Sequence, residues 1–204
     1  HASVVSMAIT TTGSLADSGL QAVHKEVDSI SSLPFKCFNN FRVKIRGDAE
    51  LSADDYYVKF ETANGQAFGE GSWVETVGFG ISKGVDPTSM PLVLVNDAVD
   101  SFTLQNIFLS ERIAGDDITN PLPSFVANTI SNIFFFKNRL GFLSGENVVL
   151  SESGLGAVNA SGNLEYNFGR TTVTTLLDSD PIDISVASTR VTNLKSAKGF
   201  QENL

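Results

Sequence analysis

The sequence contains one cysteine, two histidines and one tryptophan in 204 residues, and these scarcities exclude several kinds of site. Cys37 alone cannot form an intrachain disulfide or a cysteine-cluster metal site. A nucleophile triad needs a histidine beside a serine or cysteine, but His1 lies at the chain end and His24 on the flank of a predicted helix. We therefore expect no catalytic residue; Cys37 is predicted to be a small buried apolar side chain and His24 half-exposed surface.

Long apolar runs and phosphate-binding loops are also missing. No run of about 18 apolar residues occurs, so no membrane-spanning helix is predicted. The N-terminus lacks the basic and apolar regions of a signal peptide. The pairs Gly78–Gly80 and Gly154–Gly156 are not followed by Gly-Lys-Ser/Thr, as a phosphate loop requires. We expect neither a cofactor nor a cofactor-binding residue.

Positive charge is in short supply, with a formal net charge of -9 and a pI of about 4.6. A protein that reads nucleic-acid sequence needs lysines and arginines to neutralise phosphates, so this class is disfavoured. The acidity is compatible with a soluble surface. It does not argue against a channel wall along which DNA slides, because a wall that bound phosphates tightly would stall the strand.

Clustered aspartates are the most suggestive polar feature. Asp178, Asp180 and Asp183 surround Pro181, and Asp116-Asp117 lies in another turn-rich stretch. Loops of this kind can bind calcium, but the glycine and terminal glutamate of a helix-loop-helix calcium site are missing. Aspartate also caps turns through its own backbone, and we favour that role and predict no metal site. A pair of glycosidase carboxylates stays open, without positive support.

The first 85 residues read as a small α+β unit. Leu20, Val23, Val27 and Ile30 form one apolar stripe at helical spacing, which predicts a helix over about 17–31 that ends before Pro34. Strands follow at 41–46, 56–61 and 72–77, the first two with a period of two that favours a hairpin.

Residues 86–204 read as a series of short strands with turns about every ten residues. The predicted strands are Leu92–Val95, Phe102–Leu109, Ile133–Phe136, a hairpin of 142–143 with 148–150 around Gly145–Asn147, Thr171–Leu177 and 182–186, with Val191 and Leu194 beyond. Residues 151–163 are predicted to form a loop. We expect Ile133–Phe136 to be buried on both faces; a helix over Phe125–Arg139 is the alternative. Strand spacing alone leaves a sandwich, a barrel and a propeller open. Most of the 15 phenylalanines are expected in the core.

Four blocks of the sequence resemble one known family, in the family's order. They are Ala53–Glu61 with Trp73–Glu75, Arg112–Val126, Ile133–Gly154 and Thr174–Val186. These blocks are similar to the podovirus tail tubular protein B, or tail nozzle, family. Family members are longer than this chain, which begins at His1 and not at Met. We therefore expect an internal fragment of a longer protein.

The resemblance implies a structural virion component and not an enzyme. Family members form a homo-hexameric ring below the head-to-tail adaptor protein, with a β-rich, propeller-like body and tail fibres nearby. The ring extends the channel through which double-stranded DNA is retained and then ejected across the host envelope. Such a protein is assembled in the host cytoplasm. The resemblance assigns no lumen-facing residue.

Two further expectations accompany this interpretation. Arg139 is predicted to form an ion pair with the acidic loop Asp178–Asp180, pinning two strands together. The alternative function is a carbohydrate-binding or carbohydrate-cleaving phage tail protein. Three tyrosines and one tryptophan weigh against it, because sugars stack on such rings. A cell-encoded β scaffold is a third reading that rests on composition alone.

Overall fold

The computed structural model describes residues 23–47, 54–154, 156–159, 162–186 and 193–198. These residues form fourteen strands and two short 3-10 turns, so the predicted mainly β fold is confirmed. The strands are β1 Glu26–Val27, β2 Lys36–Phe38, β3 Arg42–Ile45, β4 Tyr56–Thr62, β5 Phe68–Thr76, β6 Leu92–Ala98, β7 Ser101–Asn106, β8 Phe108–Leu109, β9 Ile130–Phe136, β10 Arg139–Ser144, β11 Asn147–Leu150, β12 Ala157–Val158, β13 Leu164–Tyr166 and β14 Ile182–Ser185. The 3-10 turns are Ile30–Ser32 and Pro87–Ser89. Within these ranges no helix is long and apolar enough to cross a membrane.

A five-stranded sheet in the order β1-β3-β4-β5-β2 contains the first part of the chain. The predicted hairpin is present, because β3 and β4 pair antiparallel with Val43 opposite Val58. Both valines are buried, together with Ile45 and Val27, and form a small core. The alternation of apolar and polar residues in β3 places Val43 and Ile45 on this core and leaves Arg42 and Lys44 half-buried on the other face.

The helix predicted for 17–31 is wrong in the part that the structure describes. Residues 17–22 lie outside the described ranges, and 23–31 contain β1 and the start of a 3-10 turn. Glu26–Val27 pairs parallel with Lys44–Ile45, which buries Val27 against the sheet. Ile30 is 44% exposed, so the apolar stripe does not continue. Pairing with β3 outweighs the helical spacing because it satisfies the backbone and buries the valine. The division at residue 85 stays a prediction.

A four-stranded antiparallel sheet in the order β14-β11-β10-β9 organises the second part. All six residues of β10 are buried. The predicted hairpin of β10 and β11 is confirmed, with Gly145 at φ 59° in its turn. The rings of Phe125, Phe142 and Phe168 lie 4.9 to 5.3 Å apart in the main core, which also contains Leu140 and Val149.

The strand prediction for Ile133–Phe136 is confirmed and the alternative helix is wrong, but burial on both faces is also wrong. Ile133 is 47% and Phe135 66% exposed. The strand lies at the edge of its sheet, with only β10 beside it among the described strands. Its other face packs more closely, because Gly141 has no side chain and the Phe134 ring lies across it. The strand enclosed on both sides is therefore its neighbour, β10.

The remaining strands are short. β6 and β7 form a two-stranded hairpin, and β12-β13-β8 form a small sheet. The predicted strand Phe102–Leu109 is divided by buried Ile107 into β7 and β8. Thr171–Leu177 is irregular, so that strand prediction is wrong; the Val173 amide donates to the Glu75 side chain and not to a sheet. Ile182–Ser185 is a strand as expected. The loop predicted for residues 151–163 contains the short strand β12. Leu194 is in no strand, and Val191 lies outside the described ranges.

Candidate assembly surfaces and loop anchors

No cluster of reactive side chains appears in the described ranges. Within them, no group of three or more His, Cys, Asp or Glu residues could hold a metal ion. His24 is exposed. Cys37 is only partly buried, which corrects the expectation of a buried thiol, because β2 is an edge strand of its sheet. The polar side chains of the molecule serve another purpose, which is to fix loops.

Arg139 is the clearest loop anchor. Its buried guanidinium donates from Nη1 to the carbonyl oxygens of Ser151 and Asp180, both at 2.7 Å, and from Nη2 to the carbonyl of Asp178 at 2.9 Å. The predicted partner loop is correct, but the predicted ion pair is wrong, because the acceptors are backbone carbonyls and not carboxylates. The planar fork of five donors suits arginine to such a set of acceptors.

The three clustered aspartates do not converge on a common point. Asp183 accepts from the backbone N–H and the hydroxyl of Ser124, both at 2.7 Å. Asp180 accepts from the Leu177 N–H at 3.0 Å, within its own turn. Asp178 contributes its backbone carbonyl to Arg139. Two of the three carboxylates thus stabilise loops.

Arg112 anchors the loop between β8 and β9. Its side chain is buried and donates to the carbonyls of Asn120, at 2.7 Å, and Ser82. It also pairs with the exposed Asp117 carboxylate at 2.8 Å. Asn120 continues the network, because its side-chain amide exchanges hydrogen bonds with the backbone carbonyl and N–H of Arg170 at 2.9 and 3.0 Å. Two irregular segments are thereby tied together.

Asp116 joins this loop to the five-stranded sheet. Its carboxylate accepts from the N–H groups of Thr119 and Ile118 and, at 3.1 Å, from the hydroxyl of Tyr57 on β4. Burial acts to raise the pKa of Asp116, but these hydrogen bonds outweigh it and the pKa is lowered. Burial and the bond to Asp116 raise the pKa of Tyr57 to about 12. Both groups therefore hold their usual charge at neutral pH.

Glu75 makes the corresponding link from β5. Its carboxylate accepts from the Val173 N–H at 2.6 Å and from the hydroxyls of Thr172 and Thr174. Glu75, Asn120 and Tyr57 are anchors that no sequence pattern predicted. Their roles depend on contacts between residues 50 to 99 positions apart, and nothing local in the sequence indicates them.

The molecule exposes much of its aromatic content. Seven phenylalanines are exposed and four are buried among those the structure describes, so the expectation that most rings fill the core is wrong. One exposed group, Phe35, Phe38 and Phe68, lies at or next to the pairing of β2 with β5. The rings of Phe38 and Phe68 make an edge contact at 5.0 Å.

The hairpin of β6 and β7 carries a second apolar surface. Leu92, Leu94, Phe102 and Leu104 are between 55% and 65% exposed, and Val99 at the tip is 92% exposed. Leu94 lies directly opposite Leu104, so the two side chains share one face. We call these five residues the hairpin patch. The run Leu-Val-Leu-Val at 92–95 could have indicated this exposed surface, because four consecutive apolar residues in a strand place apolar side chains on both of its faces.

Exposed apolar surfaces of this kind are typical of proteins that assemble with partners. The profile of the family described as bacteriophage nozzle protein matches residues 1–204. The chain belongs to this family. It is also 38% identical over 195 residues to the tail tubular protein gp12 of Escherichia phage T7. The matched region covers 96% of this chain and 23% of the T7 protein.

Membership of the nozzle family confirms the resemblance drawn from the four sequence blocks. The chain is accordingly a structural component of a bacteriophage tail, and hence of the virion. Its length corresponds to about a quarter of the T7 protein. The block Arg112–Val126 contains the Arg112 anchor, and the block Thr174–Val186 contains two of the carbonyls held by Arg139. Two of the family blocks thus carry loops fixed by buried arginines.

The single tryptophan does not form a sugar platform. Trp73 on β5 donates from Nε1 to the Pro34 carbonyl at 3.0 Å. Its ring packs edge-on against Phe60 at 5.1 Å and Phe41 at 6.4 Å. A stacking platform needs an open ring face with free polar neighbours, and here the indole N–H is already used. This packing weighs against the carbohydrate-binding alternative.

Proposed function

We propose that this chain forms part of the wall of a short phage tail tube, repeated in a homo-hexameric ring whose channel retains double-stranded DNA and conducts it during ejection. Membership of the nozzle family supports the tail role. The exposed hairpin patch is the main observation in favour of a ring of identical copies. A propeller-like body fits the four-stranded antiparallel sheet, because propeller blades are sheets of this kind. The ring acts by assembly and guidance, and its work needs no catalytic group.

The hairpin patch supplies a surface for contact between neighbouring copies. In a closed ring each copy offers two different surfaces, one to each neighbour. The hairpin patch and the aromatic group around Phe38 and Phe68 lie on different sheets, so the chain carries two separate apolar surfaces. Large apolar side chains at the centre of such contacts supply most of the binding free energy.

The charge distribution supports a channel through which DNA slides. Six lysine or arginine side chains in the described ranges are paired with carboxylates. A seventh, Arg139, is buried on backbone carbonyls. Seven of the 14 lysines and arginines are thus engaged within the protein, and the net charge of -9 repels phosphates. Contact with DNA is accordingly weak and independent of base sequence.

The remaining partners follow from the position of such a ring. A head-to-tail adaptor protein lies above it, tail fibres attach beside it, and the host envelope lies ahead during ejection. The ring is built in the host cytoplasm before it joins the particle. These partners rest on the family resemblance, and no residue is assigned to them.

The first experiment labels purified virions with a gold-tagged antibody raised against this chain. Label at the short tail, with none on the capsid, is the expected result. Absence of label from intact particles, with the protein abundant in infected cells, would contradict the tail-tube role.

The second experiment tests the ring contact in the full-length protein. Leu104→Asp places a charge in the centre of the hairpin patch, and Asn64→Asp adds the same charge at an exposed turn outside it. By sedimentation and electron microscopy, the Leu104 variant is expected to stay as folded protomers, while the Asn64 variant forms rings. Rings of normal yield from both variants would remove the hairpin patch from the contact. A hot-spot loss of about 2 kcal/mol or more per contact sets the scale.

A further inference from the structure

The main core of the protein opens into an apolar groove. Ile133 and Phe135 of β9 form one wall, and Leu92, Phe108 and Leu164 contribute to the remainder. The groove has a volume of about 280 Å³, and no residue that lines it is charged. A space of this size accommodates several large side chains, not one water molecule.

The floor of the groove is the core itself. Leu140 and Phe142 line it, and both belong to the cluster that contains Phe125 and Phe168. The groove is therefore a place where the core lacks a covering layer, and it differs from a pit in a polar surface. Cores normally close at native packing density, since an open wall forfeits both dispersion contacts and burial of apolar area.

The wall formed by β9 also has an open edge. Within the described ranges, β9 pairs with β10 and with no strand on its other side. An edge strand presents unpaired N–H and C=O groups, which another extended segment can pair with. The side chains of such a segment alternate, so every second residue would enter the groove beside Ile133 and Phe135.

We propose that this groove is filled by an extended apolar segment of the same polypeptide, from outside residues 1–204, which adds a strand to the open edge of β9. The chain corresponds to only 23% of the T7 relative, so most of a protein of that length lies elsewhere. The groove continues the core of this chain and no charged residue lines it, so an apolar segment of the same polypeptide would complete that core at native packing density. The occupant is accordingly an alternating apolar strand.

The test is site-specific photo-crosslinking in the full-length protein. Phe135 is replaced by p-benzoylphenylalanine, which keeps an aromatic ring at a position 66% exposed in this chain. Irradiation is expected to give a product at protomer mass on a denaturing gel. Mass spectrometry is expected to identify a crosslinked peptide from outside residues 1–204. A product of twice the protomer mass would overturn the proposal in favour of a second copy, and a crosslink within residues 1–204 would overturn it as well.

A second variant guards against a photochemical failure. Phe135→Cys in the full-length protein is expected to react with a maleimide at least tenfold more slowly than Asn64→Cys in an exposed turn. Equal rates would show an uncovered groove and overturn the proposal. Crosslinking from Phe102, in the hairpin patch, reports separately on contact between copies. Loss of the Phe102 product with retention of the Phe135 product would remove the ring contact and leave the groove proposal standing.

Discussion

Replacement of Arg139 by alanine gives the sharpest test of how this fold is held together. The side chain lies on the fully buried strand β10 and reaches three carbonyls, two of them on the loop before β14. Arg139→Ala removes every donor and leaves the carbonyls of Ser151 and Asp180, which belong to buried residues, without this partner. The loop at 178–180 then keeps its own turn bonds, the bond from the Ser153 amide to the Ser179 carbonyl and the contact of Asp180 with Arg170.

The size of the effect follows from the two buried acceptors. A hydrogen bond to a charged group contributes about 1.5–3 kcal/mol, and a buried acceptor left unsatisfied costs a comparable amount. Two such bonds give a loss of about 3–6 kcal/mol in the free energy of unfolding. For a unit of this size, 1 kcal/mol corresponds to about 2–4 °C in Tm. The expected fall in Tm is therefore roughly 6–24 °C.

The assay combines thermal unfolding with hydrogen exchange measured by mass spectrometry. Arg139→Ala is expected to speed exchange in peptides that contain Ser153, Leu177 and Asp180, whose amides hold this turn. Asp178→Asn is the matched control. It removes the carboxylate but leaves the carbonyl that Arg139 uses, so Tm is expected to change by no more than about 2 °C. If Asp178→Asn destabilised the protein as much as Arg139→Ala, an ion pair would be the correct description and the carbonyl argument would fail.

Four further predictions concern other positions, and each is measured by urea unfolding. Gly141→Ala is expected to lower the free energy of unfolding by about 1–3 kcal/mol, because the added Cβ would lie 2.4 Å from the Phe134 ring. Gly69→Ala is the control: apart from its chain neighbours, no atom lies within 4 Å of its added Cβ, so its stability is expected to be unchanged or slightly higher. The raised pKa of Tyr57 gives stability that is complete below pH 10 and lost as pH rises towards about 12, and Tyr57→Phe is expected to abolish that loss. The lowered pKa of Asp116 gives stability that is lost as pH falls below about 4. In Asp116→Asn, the free energy of unfolding is therefore expected to change less with pH in this acid range. Glu75→Gln is expected to lower the free energy of unfolding by about 1–2 kcal/mol, because it weakens the bond to the Val173 amide. An unchanged free energy of unfolding would contradict the role of Glu75 as an anchor.

Several strands could be predicted from local patterns, although the β-branched stretch Thr171–Leu177 gave a wrong strand. The alternation at Arg42–Ile45 and the turn at Gly145 gave the correct hairpins, because side-chain period and turn chemistry act within a few residues. The strand at Ile133–Phe136 was correct for the same reason. Its burial was not, since burial depends on which strands lie beside it and not on its own composition.

The helix predicted over 17–31 shows the opposite limit. Its described half has helical spacing, yet Val27 is buried by a parallel strand from residues 44–45. The paired segment, β1, has only two residues, so it leaves no alternation in the sequence that could compete with the helical spacing. The anchors Glu75 and Asn120 are unpredictable for the same reason, because each side chain bonds to a segment at least 50 residues away.

Buried polar side chains fix the loops of this protein, whereas exposed apolar side chains on its strands are available for contacts with other segments or copies. Loops are held by side chains bonded largely to backbone groups, as with Arg139 and Asn120, and such bonds do not depend on the charge of a neighbouring side chain. In the proposed channel, a loop fixed in this way would keep its shape beside DNA, because phosphates cannot reach a buried guanidinium. Apart from Val99 at the hairpin tip, the apolar residues that remain exposed in the hairpin patch and along β9 lie on hydrogen-bonded strands. Because a paired strand is already ordered, less conformational entropy is lost when it makes the contacts of the proposed ring or of the proposed added strand.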